Sequence, residues 1–229
     1  MSVYAISDLH LSLNSDKSME VFAGWEDYVN KIRDNWGKKI LKEDTVVIIG
    51  DISWAMSLEE AKKDLEFVND LPGRKILIKG NHDYWWSTKA KVNNFLEENN
   101  LDKIDILYNS AFQAENISVC GTRGWMYNSE ESEDQKILAR EVGRLEKSLD
   151  CACAFGLPPV VFLHYPPVYG FGESEKIINI LIERNIKKCY YGHIHGNEAK
   201  KGIIEGMYKG IEFHLVSCDY VGFCPVLVS

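Results

Sequence analysis

The sequence is short of positive charge. Its 26 lysines and arginines are outnumbered by 34 aspartates and glutamates, giving a formal net charge of −8 over 229 residues. Broad, sequence-independent nucleic-acid binding rests on Lys and Arg neutralising phosphates, so this balance makes a nucleic-acid partner unexpected. Long apolar runs are lacking too. The opening Met1-Ser2-Val3-Tyr4-Ala5-Ile6-Ser7-Asp8 has no basic segment, and its apolar stretch is too short for export or a membrane span. A cytoplasmic protein without a membrane partner is expected. With no repeat of fixed period, no low-complexity tract and no Ser/Gly-rich linker, residues 1–229 are expected to form a single α/β domain. The six cysteines are irregularly spaced and read as reduced thiols, and Cys151-Ala152-Cys153 lacks the second pair of a structural zinc site.

What the chain does contain is alternation. Short β-branched runs at Val3 to Ser7, Thr45 to Ile49, Lys75 to Ile78, Ile117 to Cys120, Val160 to Leu163 and Lys188 to Tyr191 are separated by segments of helical period. The clearest helix follows Ser57, with Glu60 completing a capping box and Leu58, Ala61, Leu65, Val68 and Leu71 on one face before Pro72-Gly73. Similar stripes run through Val21 to Leu41, Val92 to Leu96 and Ile137 to Leu149, and the more uniformly apolar Ile177 to Ile182 should be buried. Ser129 to Gln135 reads as a loop entering a helix. Beyond residue 200, Ile203 to Tyr208 and Ile211 to Ser217 suggest a hairpin turning at Lys209-Gly210, with a last strand near Pro225 to Val228, so the C-terminus looks antiparallel.

Five polar clusters follow apolar runs directly: Asp8-Leu9-His10, Gly50-Asp51, Gly80-Asn81-His82-Asp83, His164 and Gly192-His193-Ile194-His195. Ligands in α/β sheets bind beyond the carboxyl ends of strands, so residues far apart in sequence can converge on one site there. Carboxylate, amide oxygen and neutral imidazole together suit Mn, Fe or Zn. Asp8, His10, Asp51, Asn81, His164, His193 and His195 exceed the needs of one tetrahedral ion. Two divalent ions roughly 3.5 to 4 Å apart would use them all if Asp51 bridged, an arrangement suited to in-line displacement at phosphorus. Glycines before Asp51, Asn81 and His193 permit sharp turns or close backbone approach. These clusters absorb every histidine except His214, which lies inside an apparent strand and reads as structural.

In this order the motifs resemble the calcineurin-like metallophosphoesterases, whose signature is Asp-x-His, Gly-Asp, Gly-Asn-His-Asp/Glu, a solitary His and Gly-His-x-His. The resemblance spans residues 8 to 195. It implies a four-layer αββα sandwich with two mixed β-sheets flanked by helices. It also implies that Asp8, His10 and His195 hold one ion, Asn81, His164 and His193 a second, with Asp51 shared; manganese is favoured over iron and zinc. His82 would stand outside the ligand set, contact the phosphate and protonate the leaving oxygen, a task that suits an ordinary pKa near 6.5. Asp83 is expected to fix either a hydrogen bond behind the ligands or a turn, the structural role being favoured. The activity implied is hydrolysis of a phosphoester, diester or monoester, in a small phosphorylated molecule by a metal-activated water.

One departure narrows the placement. The protein Ser/Thr phosphatase branch continues Gly-Asp-x-x with Asp-Arg-Gly, whereas this chain reads Gly50-Asp51-Ile52-Ser53-Trp54-Ala55, which makes that branch unexpected and leaves open what orients His82. Aromatics crowd the same loops at Trp54, Tyr84, Trp85, Trp86, Trp125, Tyr165, Tyr169 and Phe171, either stacking on a substrate or filling the rim of the core. Arg123, between two glycines, is placed either to clamp a phosphate or to form a salt bridge. Two other readings compete: a nuclease, against which the acidic charge counts, and a non-catalytic metal-binding scaffold, against which the intact His82 counts.

Overall fold

The computed structural model describes residues 1–125, 132–170, 172–197 and 199–229. In chain order its first half contains β1 (Val3–Ile6), α1 (Tyr28–Lys39), β2 (Thr45–Ile49), α2 (Leu58–Asp70), β3 (Arg74–Ile78), α3 (Lys89–Glu98), β4 (Ile104–Ile106) and β5 (Phe112–Ala114). The second half contains β6 (Ile117–Thr122), α4 (Ser132–Cys153), β7 (Pro159–Leu163), β8 (Val168–Tyr169), β9 (Gly172–Glu173), α5 (Glu175–Glu183), β10 (Lys188–Tyr191), β11 (Gly206–Tyr208), β12 (Ile211–Leu215) and β13 (Val226–Leu227).

These strands make two mixed sheets. The first has the order β13-β1-β2-β3-β4, parallel except where β13 pairs antiparallel with β1. The second has the order β11-β12-β10-β7-β6-β5, parallel at its centre and antiparallel at both edges. β2 shows why the sheets stack: every residue of Thr-Val-Val-Ile-Ile is buried, as a strand covered on both faces requires. Val46 and Ile48 pack with Ile32, Trp36, Leu65 and Val92 of the helices, while Val47 and Ile49 join Val119, Val160 and Phe162 of the other sheet. The far face of the second sheet, with Val161, Cys189 and Phe213, is covered by Leu145 and Leu149 of α4 and Ile178 and Leu181 of α5. The result is helix, sheet, sheet, helix, as the motifs implied.

Local rules explain most element limits. Ser57 Oγ accepts the Glu60 N–H at 3.3 Å, and the Glu60 carboxylate accepts the Met56 N–H at 2.8 Å, a cap displaced by one residue from the expected box. Lys209 and Gly210 take φ of 49° and 81°, the left-handed pair that a tight turn between β11 and β12 needs. Four expectations are corrected. The stripe from Val21 becomes helical only at Tyr28, because Asp27 at φ 53° breaks the helical path. Within Ser129 to Gln135 the helix already begins at Ser132, with Glu133 and Asp134 favouring its positive end; residues 129–131 lie outside those described. The C-terminus is only partly antiparallel, since β12 lies parallel to β10. In the uniformly apolar α5, Ile182 is exposed whereas Ile177, Ile178, Ile180 and Leu181 are buried.

Candidate metal centre

The loops leaving β1, β2, β3, β7 and β10 open at one edge of the two sheets, and there the motif side chains meet. Asp8, His10 and His195 present ligand atoms within 4.8 Å of one another, and so do Asp51, His164 and His193. Asn81 joins the second group, its Oδ1 2.7 Å from His164 Nε2. Asp51 stands between the groups: its Oδ2 is 3.8 Å from His10 Nε2 and 3.5 Å from His164 Nε2. The His82 ring lies 5.8 Å from that of His10 and belongs to neither group.

The backbone is bent to achieve this. Asp8, His10, Asp51 and His193 have φ of 61°, 45°, 51° and 72°. Such left-handed non-glycine residues cost about 1 to 3 kcal/mol each and concentrate at functional sites. The loops also pass too closely for side chains: a Cβ on Gly80 would lie 2.1 Å from Asp51 Oδ1, and one on Gly192 2.0 Å from Ser7 Oγ. Asp83 holds the β2 and β3 loops together. Fully buried, its carboxylate accepts N–H groups from Asp51, Ile52, Ser53 and Gly80 and the indole N–H of Trp85, at 2.8 to 3.2 Å. His164 Nδ1 lies 2.9 Å from the Ile49 carbonyl, which fixes its N–H there and frees Nε2 to face the centre.

The electrostatics call for cations. Burial, reinforced by Asp8 and Asp83, pushes the Asp51 carboxyl up to about 9. Burial also lowers His10 and His164 to about 3 and His193 to about 4, so these imidazoles are neutral with lone pairs available. For His195, burial opposes the charge, but Asp8 and Asp219 outweigh it and raise the ring to about 10. Burial works against the Asp8 carboxylate as well, and His195 overrides it, holding Asp8 well below the usual carboxylate range. His10 Nε2 and His195 Nε2 face each other at 3.2 Å, a separation that requires a proton or cation between them. Buried carboxylates converging with neutral imidazoles are a donor set that divalent ions fit and compensate.

Several participants carry no motif. Asp219 accepts from His195 Nδ1 at 3.1 Å and from the Gly196 N–H at 3.1 Å, and pairs with Lys200 at 3.0 Å. Ser217 Oγ donates to Asp8 Oδ2 at 2.9 Å. A cleft of about 810 Å³ opens beside His10, His82 and His195, walled by Met19, Phe22, Trp25 and Trp54 with Lys200 at one side. Trp54 stacks on His10 at 4.7 Å and packs at 4.6 Å on His82, whose Nδ1 is buried without a hydrogen-bond partner. Burial lowers the His82 pKa. Of the other loop aromatics, Trp85 and Trp86 fill the core, Tyr84 meets His82 edge-on, and Tyr165 packs at 4.3 Å on His193. Tyr169 lies against the backbone at Gly202, and Phe171 lies outside the described residues. His214 stacks on Tyr190 and pairs with Glu205 and Glu212, a structural placement. All six cysteines are free.

Among solved structures, the chain is similar to the protein of unknown function AQ665 from Aquifex aeolicus, with 18% identity, a TM-score of 0.54, and coverage of 99% of this chain and 95% of that one. It is also similar to TT1561 of Thermus thermophilus, with 11% identity, a TM-score of 0.59, and coverage of 99% and 97%. At such identities the likeness is one of fold. No curated protein matches the sequence. No helix among the described residues is long and apolar enough to cross a membrane. The calcineurin-like phosphoesterase family model matches residues 1–197, which include every motif residue that converges at the centre, and the chain belongs to that family.

Proposed function

We propose that this protein is a metal-dependent hydrolase of a phosphoester bond in a small phosphorylated molecule, working with two divalent ions, manganese in preference to iron or zinc. The observation that carries the reading is the position of Asp51, one carboxylate oxygen within 4 Å of imidazoles from both His/Asp groups. Asp8, His10 and His195 would hold one ion, Asn81, His164 and His193 the other, and Asp51 both. Bound there, the ions supply positive charge that polarises the phosphoryl group and lowers the pKa of water.

The chain's own residues do the rest. Asp83 keeps the Asp51 and Asn81 loops in register, and Asp219 keeps His195 oriented and basic. The leaving group lies in the cleft against Trp25, Trp54 and Phe22, whose volume of about 810 Å³ suits a small molecule. His82, which lines that cleft, donates the proton to the departing oxygen. Its lowered pKa is raised again by the negative phosphoryl group, which favours the imidazolium at the moment of need. Packing on Trp54 orients the ring, in the place of a carboxylate partner.

The test is hydrolysis of p-nitrophenyl phosphate and bis(p-nitrophenyl) phosphate by manganese-loaded protein and its His82→Ala variant. The wild type should cleave at least one ester, and the variant should retain its metal while losing roughly 10² to 10⁴ in turnover. Failure of the loaded wild type on both esters would favour a scaffold, and DNA cleavage with neither ester hydrolysed would favour a nuclease.

A further inference from the structure

A second cavity, of about 280 Å³, opens where β3, β4 and β6 end against the first half of α4, and among the described residues it shares no lining side chain with the catalytic cleft. Four cationic side chains line it, Lys79, Arg123, Arg140 and Arg144, against one carboxylate, Glu141. That concentration is conspicuous in a chain of net charge −8.

The carboxylate is already committed. Glu141 is buried, with Oε2 accepting the Thr122 hydroxyl at 2.5 Å and Oε1 held by Arg144 and lying 3.6 Å from Arg123. It anchors two guanidiniums without neutralising the other two cations. Arg140 has no hydrogen-bond or ion-pair partner among the described residues. Arg123 stacks at 4.8 Å on Trp125, yet its Nε is buried with nothing to accept its proton. A buried donor without an acceptor is costly, and the guanidinium fork matches the spacing of oxygens on a tetrahedral anion.

The cavity adjoins the metal centre. Lys79 precedes Asn81 by two residues, the Arg123 carbonyl accepts the Tyr165 N–H at 2.9 Å, and the Trp125 ring touches Tyr165, which packs on His193. We propose that this cavity is a second anion site, holding a phosphate-class oxyanion through Arg123, Arg140 and Arg144. Its volume admits a phosphoryl group with little attached. The occupant is either a second phosphate of the substrate or free phosphate; the site stands on its own residues and does not depend on the catalytic reading.

Calorimetric titration of inorganic phosphate into the manganese-loaded full chain tests it without any need for turnover. The Arg123→Gln/Arg140→Gln variant should bind one phosphate fewer than the wild type. Arg140→Gln alone should weaken that phosphate roughly tenfold or more, and Arg140→Lys should weaken it less. Arg140 is exposed, so its replacement leaves the fold intact, which circular dichroism checks. Equal phosphate number and affinity in the wild type and the folded single and double variants would overturn the proposal. The source is separated by kinetics. A KM raised by Arg140→Gln for a bisphosphate but not for a monophosphate assigns the site to the substrate, whereas loss of the phosphate with both KM values unchanged assigns it to free phosphate.

Discussion

Asp83 and Asp51 are latched to each other through the backbone: the Asp83 carboxylate accepts the Asp51 N–H at 2.9 Å, and Asp51 Oδ1 accepts the neighbouring His82 N–H at 2.8 Å. Two motifs 32 residues apart are thereby fixed in one geometry. Replacement of Asp83 by Asn would turn part of an acceptor surrounded by five N–H groups into a donor. Asp83→Asn should destabilise the protein by about 2 to 4 kcal/mol and weaken metal binding, as read by denaturant unfolding and metal titration. Unchanged stability would show that the latch is dispensable.

Asp219 acts on the centre through His195. Asp219→Asn keeps a hydrogen-bond acceptor for His195 but removes one of the two charges, Asp8 being the larger, that make the ring basic. The expected result is a native circular dichroism spectrum with metal affinity lowered about 10- to 100-fold. Wild-type affinity in a manganese competition assay would show that Asp219 does not act on the centre.

The pH dependence of the metal-free protein follows from the buried groups. Folded His10, His164 and His193 stay neutral down to about 3 to 4. Unfolded histidines take up protons below roughly 6.5, and the three of them outweigh Asp51, whose unfolded carboxyl releases its proton near 4, so stability should rise with pH from about 4 to 6.5. Asp51 keeps its proton up to about 9 and His195 up to about 10, and both release it on unfolding; together they outweigh buried Lys75, lowered to about 7, which takes one up on unfolding, so stability should fall from about 6.5 towards 9. Melting temperatures after chelation should therefore peak near neutrality. Added manganese should abolish the alkaline decline, because a cation favours the deprotonated Asp51. A metal-free profile that keeps rising to pH 9 would contradict this.

Lys75 offers a stability test away from the centre. Its side chain is fully buried, and its ammonium donates to the carbonyls of Asn69, Leu71 and Gly73 at 2.6 to 3.0 Å, closing the end of α2. Lys75→Met fills the same space but takes the donor from the Leu71 and Gly73 carbonyls and leaves Asn69 with Lys103 alone, so it should cost about 2 to 4 kcal/mol in urea unfolding while leaving metal binding intact. A neutral effect would mean that water satisfies those carbonyls.

How legible this was in the sequence depended on range. β2 and β10 coincide residue for residue with apolar runs, and the glycines and left-handed ligands sit where the motifs placed them, because strand ends are marked locally. β4 and β5, three residues each, are too short for any period to show. Asp219 and Ser217 were invisible for another reason. They reach the centre through the bridge pairing Ser7 with Ser217, a contact across most of the chain that no spacing encodes. Trp25 escaped notice because its segment resembled the start of α1, whereas the turn at Asp27 releases it into the cleft wall.

The central claim, that the two His/Asp groups form one centre sharing Asp51, is tested most directly by elemental analysis of manganese-reconstituted protein beside Asp51→Ala. Two ions per chain are expected in the wild type, and loss of both, or of all but weak binding, in a variant that remains folded. One ion or none in the wild type, or two tightly held in Asp51→Ala, would contradict it.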